Sequence, residues 1–488
     1  VLLKDVAVVG GLGLTALLFA LLGIWHARRQ PQDLEGYLVS RNRFGSWMVF
    51  GTVVSSAMGV WILFSPPQVG SEQGIAGVIG YGLGSAAPLA LFALMGPRVR
   101  RLMPQGYSLT EFVLHRYGRA MYLATLVIML FYMATYAVAE LTAIAKVVQV
   151  LTDISALWVP AVIVMGATFL YTAWGGLNAA IVMDVVQFWV IVPLLLLSGL
   201  TTLLLLGGWQ AALAPVAIKA PQLLYPFSGD GIKMGLTLIL AILSAEVFNQ
   251  VNWQRIFAGR SHAVVRWAYA ASALVTVPMI VVAGCLGILA MHFGLQGDVA
   301  FFQLLKRLSS QTWLLVTVVV LAIALVMSTL SALLNGITSL LLEIRRVRPA
   351  LTRGQLLQLA RALTIGLGVI VIAIAAQGYD VLYLFLLADL VCAGALVPIL
   401  YGLYSPYATG DSALVSSALG IGVGAMFFPK PDFRAWVALP GAGDLLVSFG
   451  LAILVSAGIC LSWGSLRQRL GQQKSFDFTT LTAGNPFD

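Results

Sequence analysis

Apolar runs of about 20 residues, enough to cross a bilayer as a helix, recur from one end of this chain to the other. A chain built this way reads as an all-α polytopic membrane protein. Its composition agrees: 10% of residues are charged and 60% hydrophobic, where a soluble protein carries roughly 25% charged residues. Most of the surface must therefore face lipid. The pattern predicts about thirteen transmembrane helices, near 6–27, 47–69, 74–96, 120–147, 157–174, 179–206, 232–257, 264–293, 313–343, 360–377, 380–404, 413–429 and 443–464. The first run has no basic flank before it and no A-x-A site after it, so it reads as a retained helix. The connections are short and leave no room for an extramembrane domain.

Basic residues set the orientation. With the N-terminus outside, stretches 28–43, 98–119, 255–266, 345–361 and 467–474 face the cytoplasm and hold twenty of the 28 Lys and Arg. The remaining eight are scattered. The expectation is a multi-pass protein of the plasma (inner) membrane with a cytoplasmic C-terminus. The net charge of +9 then faces an anionic leaflet and implies no nucleic-acid partner. Cys285, Cys392 and Cys460 lie apart in apolar stretches and read as core thiols. His26, His115, His262 and His292 sit near helix ends. Neither set forms a nucleophile or metal constellation, so the chain does not read as an enzyme.

An odd helix count with opposite termini has a consequence. After a leading segment, 1–46, five helices fill 47–206 and five more fill 207–404, with two trailing helices in 405–488. Five is odd, so the second block enters the membrane upside down, as in the inverted repeats of secondary transporters. In such folds broken helices mark the binding site. The first helix of block one carries Gly51, Ser55, Ser56, Gly59, Ser65, Pro66 and Pro67. The first helix of block two turns polar at Asn249, Gln250, Asn252, Gln254 and Arg255. Polar groups at membrane depth are costly unless they line a cavity or bond unwound backbone. Both matching positions are thus predicted to be disrupted.

A cation site is expected on the helix 313–343. Leu325, Ser328 and Thr329 share one face, and Ser331 lies on a neighbouring stripe. Hydroxyl and carbonyl oxygens suit a monovalent cation that binds and leaves, not a transition metal. Small packing residues would show the same spacing. Asp184, after the turn at Gly175-Gly176, would attract cations toward the inner mouth. Three further acids, Glu140, Glu246 and Asp389, fall inside predicted spans; Asp389 would bind solute or a proton.

Thr172-Ala173-Trp174-Gly175-Gly176-Leu177-Asn178-Ala179, followed by Asp184 and Gln187, resembles the T-x-x-G-G-L-x-A…D-x-x-Q signature of the sodium:solute symporter family. Asn249-Gln250 with Gln254-Arg255, and the opening segment 33–38 with Arg41, are similar to other segments of that family. The resemblance covers nearly the whole chain. It implies the LeuT-type five-plus-five fold and a Na+ site between the first and eighth core helices. Carried over by motif, the carbonyls of Ser55, Met58 and Leu325 and the hydroxyls of Ser328 and Thr329 would hold the ion. A shift of one residue in the first helix would make these Ser56 and Gly59. Asp184 and Ser331 match part of a second cation site or release path, but Ala332 replaces one of its hydroxyls. Ala57 stands where proline transporters have an acid, and Val251 where sugar transporters often have an aromatic gate. Neither solute is favoured, and the nearest likeness is to the urea-permease-like branch.

The expected function is sodium-coupled symport, importing a small polar organic solute by alternating access. The alternatives are proton coupling through Asp184 or Asp389 and a symporter-like membrane sensor. Trp61, Phe64, Phe248, Asn249, Asn252, Trp253 and Asp389 are the candidate solute contacts. Solute and bilayer are the expected partners, with no obligate protein partner evident.

Overall fold

In a computed structural model the described residues are 2–29, 36, 39–152, 154–308, 312–343, 353–469 and 475–482. The motif at 33–38, apart from Gly36, and Arg345, Arg346, Arg348 and Lys474 lie outside them. The described residues form helices and no strand. Among the described residues nine helices are long and apolar enough to cross a membrane, and the pair Gly229–Val247 and Gln250–Ala258, bent by 61°, makes a tenth when taken as one span. Three shorter apolar helices, Ser46–Ala57, Trp158–Ala173 and Ala362–Ala375, fall at other expected positions. By length and composition the described residues give nine or ten spans, which does not establish the thirteen expected, since the helices at those three positions are short.

The expected span 47–69 is not one rod. Helix Ser46–Ala57 stops, a 3-10 turn follows at Val60–Leu63, and a new helix runs Ser65–Leu102 with a kink at Gly74. Pro66 and Pro67 occupy the first turn of that helix. There a missing N–H leaves nothing unsatisfied, so the prolines start a helix instead of ending one. The second break has a local cause. Asn249 is extended, and its side chain accepts the Val251 N–H at 3.1 Å, capping Gln250–Ala258. Asparagine is among the best residues for that position. Gly176, at φ 55°, divides Trp158–Leu205 at the glycine pair, a conformation that costs a Cβ-bearing residue strain.

Large apolar side chains such as Leu94, Trp189, Leu204 and Leu274 are exposed, while Thr52, Asp184, Glu140, Arg255 and Ser328 are fully buried. The molecule is apolar outside with a polar seam inside, the arrangement a lipid solvent selects. Both helix breaks open onto that seam.

Candidate cation and solute site

The first break leaves the last carbonyls of Ser46–Ala57 without helical partners. Thr329 Oγ1 donates to Ser56 O at 3.3 Å, and Tyr136 Oη donates to Ala57 O at 3.4 Å. Ser55 and Ser328 hydroxyls meet at 2.8 Å. The broken helix and the serine-threonine face of Thr312–Leu342 therefore touch. Ser55 contacts the opposite helix through its side chain and Ser56 through its carbonyl, so of the two serine carbonyls it is that of Ser56 that meets Thr329. Leu325 is fully buried on the same helix. Ser331 turns back to its own helix, donating to Ser328 O at 3.0 Å.

Asp184 is not at an exposed mouth. It is fully buried, and its carboxylate accepts from Thr52 Oγ1 at 2.5 Å, Ser328 Oγ at 2.9 Å and Arg255 Nη2 at 2.9 Å. Arg255, counted from sequence among the cytoplasmic basic residues, is wholly buried as well. Arg255 Nε also donates to Thr52 Oγ1 at 3.3 Å. The guanidinium compensates the charge of Asp184, so this carboxylate stands as the anchor of a neutral network, which reaches the cation cluster through Ser328.

A cavity lies on the other side of the first break. Ala57, Met58 and Trp61 from the break share its wall with Tyr81, Tyr132, Tyr136, Phe385, Glu246 and Asp389. Trp61 stacks on Tyr81 with ring centroids 5.7 Å apart, and its Nε1 donates to Tyr136 Oη at 3.0 Å. Phe385 closes edge-on against Tyr136 at 4.8 Å. Glu246 accepts from Tyr132 Oη at 2.8 Å, Asn249 Nδ2 at 3.1 Å and Asn252 Nδ2 at 2.7 Å. Asp389 has no hydrogen-bond or ionic partner among the described residues and is 4% exposed. Among the described residues no Lys, Arg or His lines the cavity.

Of the seven solute contacts expected from sequence, Trp61 and Asp389 line this cavity, and Asn249 and Asn252 reach it only through Glu246. The other three do not line it. Phe64 packs on Phe302 at 4.8 Å, Phe248 is fully buried, and Trp253 donates to Val247 O at 2.8 Å while its ring meets Phe92. Each fills space behind a break. The sequence reading did not assign Thr52, Tyr132, Tyr136 or Glu246. Glu246 carried a usable signal as an intramembrane acid. The tyrosines, set in an apolar helix, carried none.

The profile of the sodium:solute symporter family matches residues 37–420. A spermidine transporter of Candida albicans, DUR31, is 28% identical over 413 residues, covering 82% of this chain and 75% of the relative. Among solved structures, a substrate-bound, outward-open Na+-coupled sialic acid symporter superposes with a TM-score of 0.77 at 15% identity, covering 94% of this chain and 98% of its own. Mhp1, a nucleobase-cation-symport-1 family transporter, superposes in its closed form with a TM-score of 0.51 at 16% identity, covering 89% and 96% of the two chains. Its inward-facing form gives 0.54 at 16% identity, covering 90% and 95%. At these identities the likeness is one of fold, the LeuT-type architecture that the family resemblance implies.

Proposed function

This chain belongs to the sodium:solute symporter family, and from that premise we propose how its residues divide the work of sodium-coupled symport and which solute they carry. It is a multi-pass membrane transporter of a small solute, with Na+ as the coupling ion. In our reading the ion sits between the break at Met58 and the Ser328–Thr329 face. The carbonyls of Ser55 and Met58, or with a shift of one residue those of Ser56 and Gly59, act as ligands together with the Leu325 carbonyl and the two hydroxyls. The observation that carries this is the contact across the break, Thr329 Oγ1 to Ser56 O at 3.3 Å and Ser55 to Ser328 at 2.8 Å. Asp184 serves as the buried counter-charge of Arg255 and holds Ser328 in place.

The solute in this reading is a small cationic amine. Glu246 and Asp389 bring two carboxylates to a cavity without a basic side chain. Such groups are costly in a membrane interior unless a cation meets them. The aromatic wall of Trp61, Tyr81, Tyr132, Tyr136 and Phe385 favours a cation over its ring faces. The name of the Candida relative, a spermidine transporter, supports the same class. Met58 and Ala57 border the cavity as well as the ion cluster, so an ion that fixes the break also shapes the solute wall. Each ligand then raises the affinity of the other.

We place the N-terminus outside and the C-terminus in the cytoplasm, on the distribution of basic residues. The two blocks, 47–206 and 207–404, are read as repeats that move against each other in alternating access.

The test is thermal stabilisation of purified protein by a solute panel in sodium or potassium. An aliphatic diamine or triamine should stabilise in sodium and little in potassium, and urea and carboxylates should not. Stabilisation by a neutral or anionic solute alone would reject the amine reading. In uptake assays, Thr329→Ala should raise half-saturating sodium by about tenfold or more, since one ligand hydroxyl is worth roughly 1.4 kcal/mol or more when charge-assisted. Unchanged sodium activation in that variant would reject the ion site.

A further inference from the structure

We infer that Glu140 is a positioning residue for the coupling ion, holding the first break in its ligand-presenting shape from a neighbouring helix. The inference rests on the sodium site proposed above.

After Met58 the chain restarts as a short 3-10 turn at Val60–Leu63, whose first N–H groups have no partner within the turn. Several helix starts carry their own side-chain cap, whereas others, such as those after Gly45, Gly118 and Gly208, have none. Ser108, Ser261, Asp380, Thr409 and Asn249 each accept a hydrogen bond from the first turn that they precede. At the first break the residue in that place is Gly59, which has no side chain to offer. The cap comes instead from Glu140, on helix Arg119–Leu151, whose Oε2 accepts the Val60 N–H at 2.8 Å. Glycine is also what lets the carboxylate in, since a Cβ at position 59 would lie 2.0 Å from Glu140 Oε1.

One turn earlier on the same helix, Tyr136 donates to Ala57 O at 3.4 Å and accepts from Trp61 Nε1 at 3.0 Å. Residues four apart share a helix face. A single face thus grips the break on both sides, at Ala57 before it and at Val60 and Trp61 after it. The carbonyl of Met58 lies between those grips. Glu140 Oε1 is buried and has no hydrogen-bond partner among the described residues. The grip of Glu140 on the break is the Oε2 contact to the Val60 N–H.

Two replacements separate geometry from charge. In sodium-dependent uptake, Glu140→Ala should raise half-saturating sodium by about tenfold or more, while solute affinity at saturating sodium changes by less than about threefold. Glu140→Gln keeps an acceptor for Val60 and should stay within about threefold of the parent. Gly59→Ala pushes the carboxylate away without removing it and should reproduce the Glu140→Ala shift. Thermal unfolding without sodium reports whether each variant is folded. Parent-like sodium dependence in Glu140→Ala overturns the inference, as does an equal loss of sodium and solute affinity in Glu140→Ala and Glu140→Gln. Should Glu140→Ala fail to fold, Gly59→Ala decides, and parent-like sodium dependence there overturns it. A Thr329→Ala variant that keeps its sodium dependence counts against the ion site itself; one that loses it while Glu140→Ala does not counts against Glu140 alone.

Discussion

Replacing Asp389 by Asn is expected to abolish high-affinity amine binding while leaving sodium binding nearly intact. Asp389 is buried at the cavity wall, and no donor or basic group among the described residues satisfies it. Its role is then to meet a charge that arrives from outside. Removing one partner of a desolvated, hydrogen-bonded charge pair costs about 2–5 kcal/mol, roughly a 30- to 4,000-fold rise in Kd. Glu246 differs, because three neutral donors already hold it. Glu246→Gln should therefore weaken amine binding less than Asp389→Asn. Calorimetric titration of a diamine into both variants in sodium checks the order. Equal or tighter diamine binding by Asp389→Asn would remove the amine from this cavity. Sodium-independent uptake that collapses with a protonophore would make Asp389 a proton carrier instead.

Arg255→Met should be the most destabilising single change in the polar seam. Arg255 and Asp184 are each fully buried and bonded at 2.9 Å, and Arg255 also donates to Thr52 Oγ1. Breaking a buried pair from one side costs about 3–5 kcal/mol, because the remaining charge has no partner. Replacing both charges is much milder, since an apolar pair of similar volume needs no compensation. Asp184→Leu combined with Arg255→Met should therefore recover most of the thermal stability that Arg255→Met loses. The double variant still lacks the carboxylate that holds Ser328 at 2.9 Å, so its sodium affinity should stay reduced. A double variant no more stable than Arg255→Met alone would mean that the pair is not the source of the loss.

The fold was largely legible because lipid enforces a simple rule. Long apolar runs, glycine and proline at 51–67 and the polar stretch 249–255 gave the helices and both breaks. Counting spans was harder, since helix Ser65–Leu102 absorbs the end of one expected span and the whole of the next. At the site, Ser328 and Thr329 could be read from spacing because both hydroxyls face one way on one helix. Asp184 was misjudged in depth: its place in the sequence gives no sign of Arg255, 71 residues away. Phe64, Phe248 and Trp253 flank the breaks in sequence, yet they pack behind them. A helix break moves its neighbours to different faces, and one-dimensional proximity does not record which. Tyr136 and Glu140 act across 75 and 80 residues, and only the packed structure brings them to the break.

The account stands on ion and solute sharing the single break at Met58. Its most direct test is equilibrium binding of a radiolabelled diamine to the purified protein and to Thr329→Ala, each in sodium and in potassium. Sodium should tighten binding by about tenfold or more in the parent and by less than about twofold in the variant. Equal diamine affinity in the two salts for the parent protein would contradict it.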